Sequence, residues 1–307
     1  MSAQARQNGR PAAVRRDGFV LLDKPLGLSS NQALQRVKRL LRAARAGHTG
    51  SLDPLATGLL PICLGRATRL SAYLLDARKG YVVTGRLGSR TATGDAEGEV
   101  VETGSEELHP VTLRTVLGEF LGDIEQVPPM YSALKQDGQR LYRLARAGQD
   151  VERPPRPVTI HTLELLATNG PEFTLAVECS KGTYIRTLVE DIATRLGTCA
   201  FVVSVRRTSV GPFKNSRLWT LADLEALAEQ GADGLDEAVL PPDAALQGLP
   251  DLTVPVSAAE ALLHGQKVDS DGPAGVFRVY APWGFLGIAE RLEEGILAPR
   301  RMFPRDG

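Results

Sequence analysis

A single carboxylate, Asp53, stands in the fourteen-residue run Gly47 to Leu60, GHTGSLDPLATGLL, crowded by glycine and proline. An arginine-rich segment lies directly upstream. Together they suggest an acid presented to a polyanion: surplus positive charge docks phosphates without reading sequence, and the carboxylate stays free to act on what has been docked. Pro54 pushes the Asp53 backbone toward an extended conformation, so its side chain is not absorbed into a helix face. Gly47, Gly50 and Gly58 permit a tight path and close approach of another backbone. The residues alone leave a second reading open, a turn aspartate bonding to local amides.

Arg186 sits in the first turn of a predicted helix, where a cation opposes the helix dipole. Local stability does not explain it, whereas a distant carboxylate to hold in its ionised form does, and Asp53 is the natural partner. A structural ion pair or a phosphate contact fits the spacing equally. Tyr81 opens a strand after Lys79-Gly80 and is placed to offer a stacking face, or to be a core tyrosine. His48 follows a helix end and is suited to insertion, stacking or proton transfer. His48, His109, His161 and His264 are scattered, Cys63, Cys179 and Cys199 are far apart, and no zinc or other metal spacing results. Phosphate-cradling glycine motifs of the nucleotide-binding types are also missing.

The elements that position these residues read as a mixed chain. Gly18 to Asp23 predicts a buried strand. Ser29 with Gln32 predicts a capping box, with Leu34, Val37, Leu41 and Ala44 on one helix face and Gly47 as the C-terminal cap. Gly80 to Gly88 and Glu99 to Glu102 predict strands around a turn at Gly94, Asp95 and Gly98, as in an antiparallel meander. His109 to Phe120 predicts a helix. From Gln126 to Pro157 the composition shifts to a proline-bounded insertion in which Leu141, Leu144 and Ala145 pack a short helix. Its cations, Lys135 and Arg143 among them, outnumber its acids, and Tyr131 and Tyr142 lie between them, a mixture suited to gripping RNA. A plain surface excursion is the alternative. Phe173 to Ser180 alternates as a half-buried strand, a helix runs from about Ile185 to Gly197, and Phe201 to Val210 is a further strand. Leu221 to Glu229 predicts an acidic helix, and the segments past Pro250 predict a small β barrel.

The chain has 307 residues, enough for one large domain with an appendage or for two domains. Lysine plus arginine and aspartate plus glutamate both number 36, so charge argues by position, not by sum. Met1 to His48 holds ten basic and two acidic residues, whereas Leu218 to Asp251 holds eight acids and no lysine or arginine. Residues 1–17 read as a disordered basic arm. With no apolar leader, no run approaching the ~20 apolar residues of a membrane span and an odd, unpaired cysteine count, a reducing cytoplasm is expected.

Taken in order, LLDKPLGLSSNQ, GHTGSLDPLATGLLPICLG, KGYVVTGRLG, QVPPMYSALK, CSKGTYIRTLVEDI and VSVRRTSVGPF closely resemble the bacterial tRNA pseudouridine synthase B family, from about Gly18 to Phe213. The resemblance implies an α+β fold: a catalytic core over residues 18–245 built on a long, mainly antiparallel sheet flanked by helices. It also implies an RNA-gripping thumb at 126–157 and a PUA-like RNA-binding barrel at 246–307. The implied reaction is isomerisation of uridine 55 in the T loop of tRNA to pseudouridine, with no cofactor, metal or guide RNA. Asp53 matches the catalytic aspartate, Tyr81 the tyrosine that stacks on the target base, and Arg186 the arginine that pairs with the aspartate. His48 and Tyr184 match RNA-contacting or pocket positions, and Val205 falls where the family often has a pocket leucine. Lys24, Arg42, Arg45, Lys135 and Arg143 are the expected phosphate contacts. A monomer without membrane attachment is expected. The competing readings are an inactive tRNA-binding or chaperone protein of the same fold, a guide-dependent relative without the thumb, and a glycoside hydrolase, which normally needs two cooperating carboxylates.

Overall fold

The structure, a computed structural model, describes residues 16–136 and 138–304. Most of the expected basic arm, residues 1–15, lies outside the described residues. Its assumed boundary at 17 moves, because Arg16 and Asp17 belong to the fold. Arg16 is buried, with Nε 2.5 Å from Asp236 Oδ1 and Nη1 donating to Leu41 O, and Asp17 accepts from the Arg66 backbone and guanidinium.

Strand β1 (Gly18–Lys24) is apolar on both faces and lies antiparallel to β3 (Ala56–Leu64). Between them run helix α1 (Ser30–Leu40) and the short strand β2 (Ala46–His48), which pairs with the other end of β3. The Ser29–Gln32 capping box forms as predicted. The helix stops earlier than expected, however. Arg42 takes a left-handed φ of 49°, Arg42 N–H donates to Arg39 O, and Ala43 N–H donates to Lys38 O. That pattern is a Schellman closure with arginine where glycine is usual. Gly47 is therefore a strand residue, not the cap, and Ala44 is exposed.

After α2 (Ser71–Leu75) comes β4 (Lys79–Leu87), the middle of the main sheet. It does not form the expected meander with Glu99–Glu102. β4 pairs with β11 (Glu172–Cys179) on one side and β12 (Ala200–Val210) on the other, while β5 (Ser89–Thr91) and β6 (Val100–Thr103) make a separate ribbon around the predicted turn. The alternation of β4 and β11 satisfies long-range partners that a local turn signal does not reveal.

Helix α3 (Pro110–Glu119) leads to β7 (Gly122–Gln126), and the chain re-enters the sheet at β10 (Arg156–Asn169) with Gln126 opposite Arg156. The segment between them thus leaves and returns at one register of the sheet. It carries a hairpin, β8 (Lys135–Gln136) with β9 (Gln139–Arg140), and helix α4 (Leu141–Arg146). Helix α5 (Ile185–Arg195) follows β11 and returns the chain to β12, whose end folds back as β13 (Phe213–Lys214).

The main sheet runs β1-β3-β12-β4-β11-β10-β7, antiparallel except where β12 meets β3 in parallel. One core lies between this sheet and α3 and α5, a second between the sheet and α1 with α6 (Leu221–Glu229) and α7 (Ala232–Asp236). Tyr81 and Val205 pack against both cores. A third core joins Phe19 and Leu21 of β1 to Ile288 and Phe303 of the C-terminal unit. That unit is a curled five-stranded sheet, a half-barrel: β14 (Asp251–Thr253), β15 (Val268–Asp269), β16 (Gly275–Ala281), β17 (Gly284–Arg291) and β18 (Ile296–Met302). Helix α8 (Val256–Leu263), which the sequence reading passed over, packs Ala259 and Leu262 into it. No helix of the described residues is long and apolar enough to cross a membrane.

Candidate active site

Asp53 lies in the loop between β2 and β3, and side chains from three other elements fasten that loop. Ser30, at the start of α1, accepts from Leu52 N–H at 2.7 Å and donates to Leu52 O at 3.0 Å. Lys24, at the end of β1, directs Nζ to Leu28 O, Pro25 O and Pro54 O at 2.5, 2.8 and 3.4 Å. Arg207 of β12 donates to Gly50 O and Leu59 O at 3.2 and 2.7 Å. Gly50 and Gly58 have left-handed φ near 95°, as the sequence suggested, and a Cβ on Gly58 would sit 2.3 Å from Arg207 O. Asp53 itself stays open, with 51 % of its side chain exposed.

The predicted partner is in place. Arg186, only 9 % exposed, reaches from the first turn of α5 to put Nη2 2.8 Å from Asp53 Oδ2. Its remaining donors go to Thr93 O at 2.6 Å and Tyr131 O at 2.8 Å, and Asp95 Oδ2 lies 3.8 Å from Nη1. One guanidinium therefore ties the acid loop, the β5–β6 turn and the insertion together. The planar fork makes this geometry possible; an ammonium has no equivalent reach. Asp95 is buried, held by Thr93 Oγ1 and Glu97 N–H, and was read from sequence only as a turn residue.

Tyr81 sits half-buried beside this pair on β4, opposite Val177 and Arg207. Burial raises the pKa of its phenol, against the opposing pull of the Arg207 guanidinium. Val205 lies between Ala56 and Val83 in the same half-buried zone. Tyr184 precedes α5, its backbone clamped by Gln126, whose Oε1 accepts from Tyr184 N–H at 2.9 Å and whose Nε2 donates to Tyr184 O. Burial raises the Tyr184 pKa too. His48 is on β2, not at a helix end. Burial, then the Arg207 charge, lowers its pKa, and its Nδ1 is buried without a hydrogen-bond partner among the described residues. It is thus a neutral ring at neutral pH.

The expected phosphate contacts divide. Arg42, Arg45, Lys135 and Arg143 are exposed. Lys24 is a correction: it is wholly buried, its pKa is lowered to about 8 chiefly by desolvation, and its ammonium is spent on backbone carbonyls, two in the β1–α1 connection and one, Pro54 O, in the acid loop. It holds the site from beneath and has no face toward a phosphate.

Sequence reading also missed two buried cations and a half-buried acid. Arg207 is 1 % exposed. Lys79 closes the end of α2 by donating to Leu75 O and Ala77 O, with its pKa lowered to about 8 by burial first and Arg207 second. Glu190 lines a cavity of about 530 Å³ between α5 and the insertion, shared with Tyr131, Arg153 and Arg186. Burial raises its pKa to about 7. A carboxylate whose folded pKa exceeds its unfolded one binds extra protons in the fold, so its stabilising effect is complete at acid pH and is lost as pH rises through 7. Glu190→Gln is therefore expected to stabilise the protein at pH 8 by about 1 kcal/mol, with the advantage gone near pH 4.5, the ordinary value. Thermal melts at the two pH values test this, and an equal or lower melting temperature at pH 8 refutes it.

Among the described residues no group of three or more His, Cys, Asp or Glu side chains gathers to hold a metal ion. The geometry instead offers a half-exposed carboxylate gripped by a buried guanidinium, with an aromatic ring alongside: an arrangement for acting on a base or sugar brought from outside.

Comparison with known proteins agrees. The model for the TruB family pseudouridylate synthase N-terminal domain matches residues 38–185, that for the tRNA pseudouridylate synthase B C-terminal domain matches 186–247, and that for the pseudouridine synthase II TruB C-terminal region matches 250–303. A Pseudomonas fluorescens protein named tRNA pseudouridine synthase B is 54 % identical over 295 residues, covering 94 % of this chain and 97 % of the relative. A Pseudomonas aeruginosa protein of the same name is 53 % identical over 289 residues, covering 93 % and 95 %. Among solved structures, an H/ACA RNP bound to a substrate RNA containing 2'-deoxyuridine aligns with a TM-score of 0.72 at 25 % identity, covering 94 % of this chain and 86 % of the other. A Cbf5-Nop10-Gar1 complex aligns with a TM-score of 0.69 at 27 % identity, covering 90 % and 78 %. With all six sequence motifs set around one acid loop and relatives matched along nearly their whole length, the chain belongs to the TruB family of pseudouridylate synthases.

Proposed function

We propose that this protein isomerises uridine 55 in the T loop of tRNA to pseudouridine, alone and without a guide RNA. The observation that carries the reading is the 2.8 Å contact between the buried Arg186 and the half-exposed Asp53, with Tyr81 on β4, one strand beyond β12. The reaction breaks the C1′–N1 glycosidic bond, turns the uracil, joins C1′ to C5, and moves one proton from C5 to N1. Nothing is oxidised or reduced, so the atom balance calls for no cofactor. Three roles for Asp53 satisfy it: attack on the ribose, attack on the uracil ring, or removal of a ribose proton. Each needs an anionic carboxylate open to substrate. Arg186 holds that carboxylate, Tyr81 offers its ring to the freed uracil, and Val205, Tyr184 and the neutral His48 border the pocket.

The base must first leave its stack, which costs a few kcal/mol and favours a loop nucleotide. Phosphate contacts supply that energy, with Arg42 and Arg45 at the end of α1 and Lys135 and Arg143 on the insertion as the candidates. In this reading residues 18–245 form the catalytic domain, 126–157 the thumb, and 246–307 an RNA-binding module. The protein acts as a cytoplasmic monomer. The near full-length relatives named tRNA pseudouridine synthase B support stand-alone action on tRNA. A catalytically silent tRNA chaperone is disfavoured by the intact Asp53–Arg186 pair.

Incubation of the purified protein with unmodified tRNA transcript, without guide or added metal, is expected to place pseudouridine at position 55, read by site mapping. Absence of product, or product only with a guide, sinks the reading. Replacing 127–155 by a short linker is expected to weaken tRNA binding by at least about a hundredfold in filter binding, through loss of several phosphate contacts and stacking tyrosines. Unaltered affinity would refute the thumb assignment.

A further inference from the structure

We infer that Arg207 is a positioning residue that holds the Asp53 loop and the Tyr81 ring in mutual register. Arg207 comes from β12, a strand between those that carry the two groups: β3 follows the acid loop on one side, and β4 bears Tyr81 on the other. Its Nη2 donates to Gly50 O, three residues before the acid, and its Nε to Leu59 O within β3. Tyr81 is its direct register partner across β12 and β4, so the two side chains rise from the same face of the sheet. It is 1 % exposed, so RNA cannot touch it.

The surroundings make a purely structural account costly. A buried charge needs compensation, and among the described residues no carboxylate pairs with Arg207; two backbone carbonyls serve instead. Its charge acts unfavourably on Lys24 of β1, His48 of β2 and Lys79 of β4, each of which has a lowered pKa to which it contributes. An apolar side chain would avoid all of this. What it would not do is span three backbone segments with a rigid fork that stays charged at every working pH.

The inference rests on Asp53 as the acting carboxylate and Tyr81 as the stacking ring. The test is Arg207→Lys in the full-length protein, with single-turnover rate, tRNA affinity and melting temperature measured together. A displacement of about 1 Å between acid and ring is expected to slow the rate roughly a hundredfold, with tRNA affinity unchanged. A buried lysine titrates where arginine does not, so the ratio of variant to wild-type rate is expected to fall further from pH 7 to pH 9. Arg207→Gln is expected to show the same split of rate from affinity with a ratio that does not vary with pH, and it stands in if the lysine variant fails to fold. A wild-type rate in either folded variant, or losses of rate and affinity in parallel, overturns the inference. Asp53→Asn run alongside separates the two failures: if it stays active the site reading is wrong, and if it is dead while R207K is normal only the role of Arg207 is wrong.

Discussion

Asp53→Asn is expected to abolish turnover and leave tRNA bound. Asparagine is near-isosteric, and its carbonyl still accepts from Arg186 Nη2, so the loop keeps its anchors at Leu52, Pro54 and Gly50, none of which involves the carboxylate. The side chain is half exposed, and the loss of its charge changes stability by less than about 1 kcal/mol. What disappears is the nucleophilic or basic oxygen, for which the site has no substitute: Asp95, which also lies within ion-pair distance of Arg186, is only 3 % exposed and bonded to Thr93 and Glu97. The rate should fall by roughly a thousandfold or more. Filter binding should give a Kd within about twofold of wild type, since phosphate contacts dominate affinity. Residual activity within tenfold of wild type would remove Asp53 from the chemistry.

Arg186→Lys should be the next most damaging substitution, and its signature differs. The guanidinium meets Asp53, Thr93 O and Tyr131 O at once from a site that is 9 % exposed. An ammonium on a shorter reach satisfies one or two of these. The carboxylate then loses its fixed orientation, for a rate loss of roughly a hundredfold. Tyr131 lies on the insertion, so the same change loosens that segment and is expected to raise the Kd for tRNA by less than about tenfold, the worth of one hydrogen bond. Asp53→Asn therefore affects rate alone, whereas Arg186→Lys affects rate and, less strongly, binding. Equal behaviour of the two variants in both assays would contradict the triple role of Arg186.

The acid and its partner were legible because both break local rules. Asp53 precedes proline among glycines, and Arg186 opposes its own helix dipole. Strand alternation placed Phe173 to Cys179 correctly, and the prolines at both ends of 126–157 lie near the point where β7 gives way and β10 resumes the sheet. The rest was hidden for physical reasons. In VSVRRTSV the two arginines face opposite sides, but alternation does not say which is buried; Arg206 turns outward to Asp23 and Arg207 inward. Lys24 reads as a surface cation because its partners are backbone carbonyls, at Pro25, Leu28 and Pro54, and composition carries no sign of which carbonyls the chain turns inward. The α1 end was misplaced because a left-handed arginine, not glycine, closes it. Helix α8 was overlooked because Val256–Leu263 is short and apolar amid strands, so its period is too brief to stand out.

Because Gln126 and Arg156 face each other across β7 and β10, the intervening chain is a closed excursion whose ends stay neighbours whatever lies between them. Lengthening such an excursion adds only a logarithmic entropic term, about 0.6 kcal/mol for each doubling. The seam is locked separately, since Gln126 also grasps the backbone just before α5. The chain beyond Tyr131, whose carbonyl Arg186 grips, can therefore change in length or charge without moving the strands that hold the acid loop.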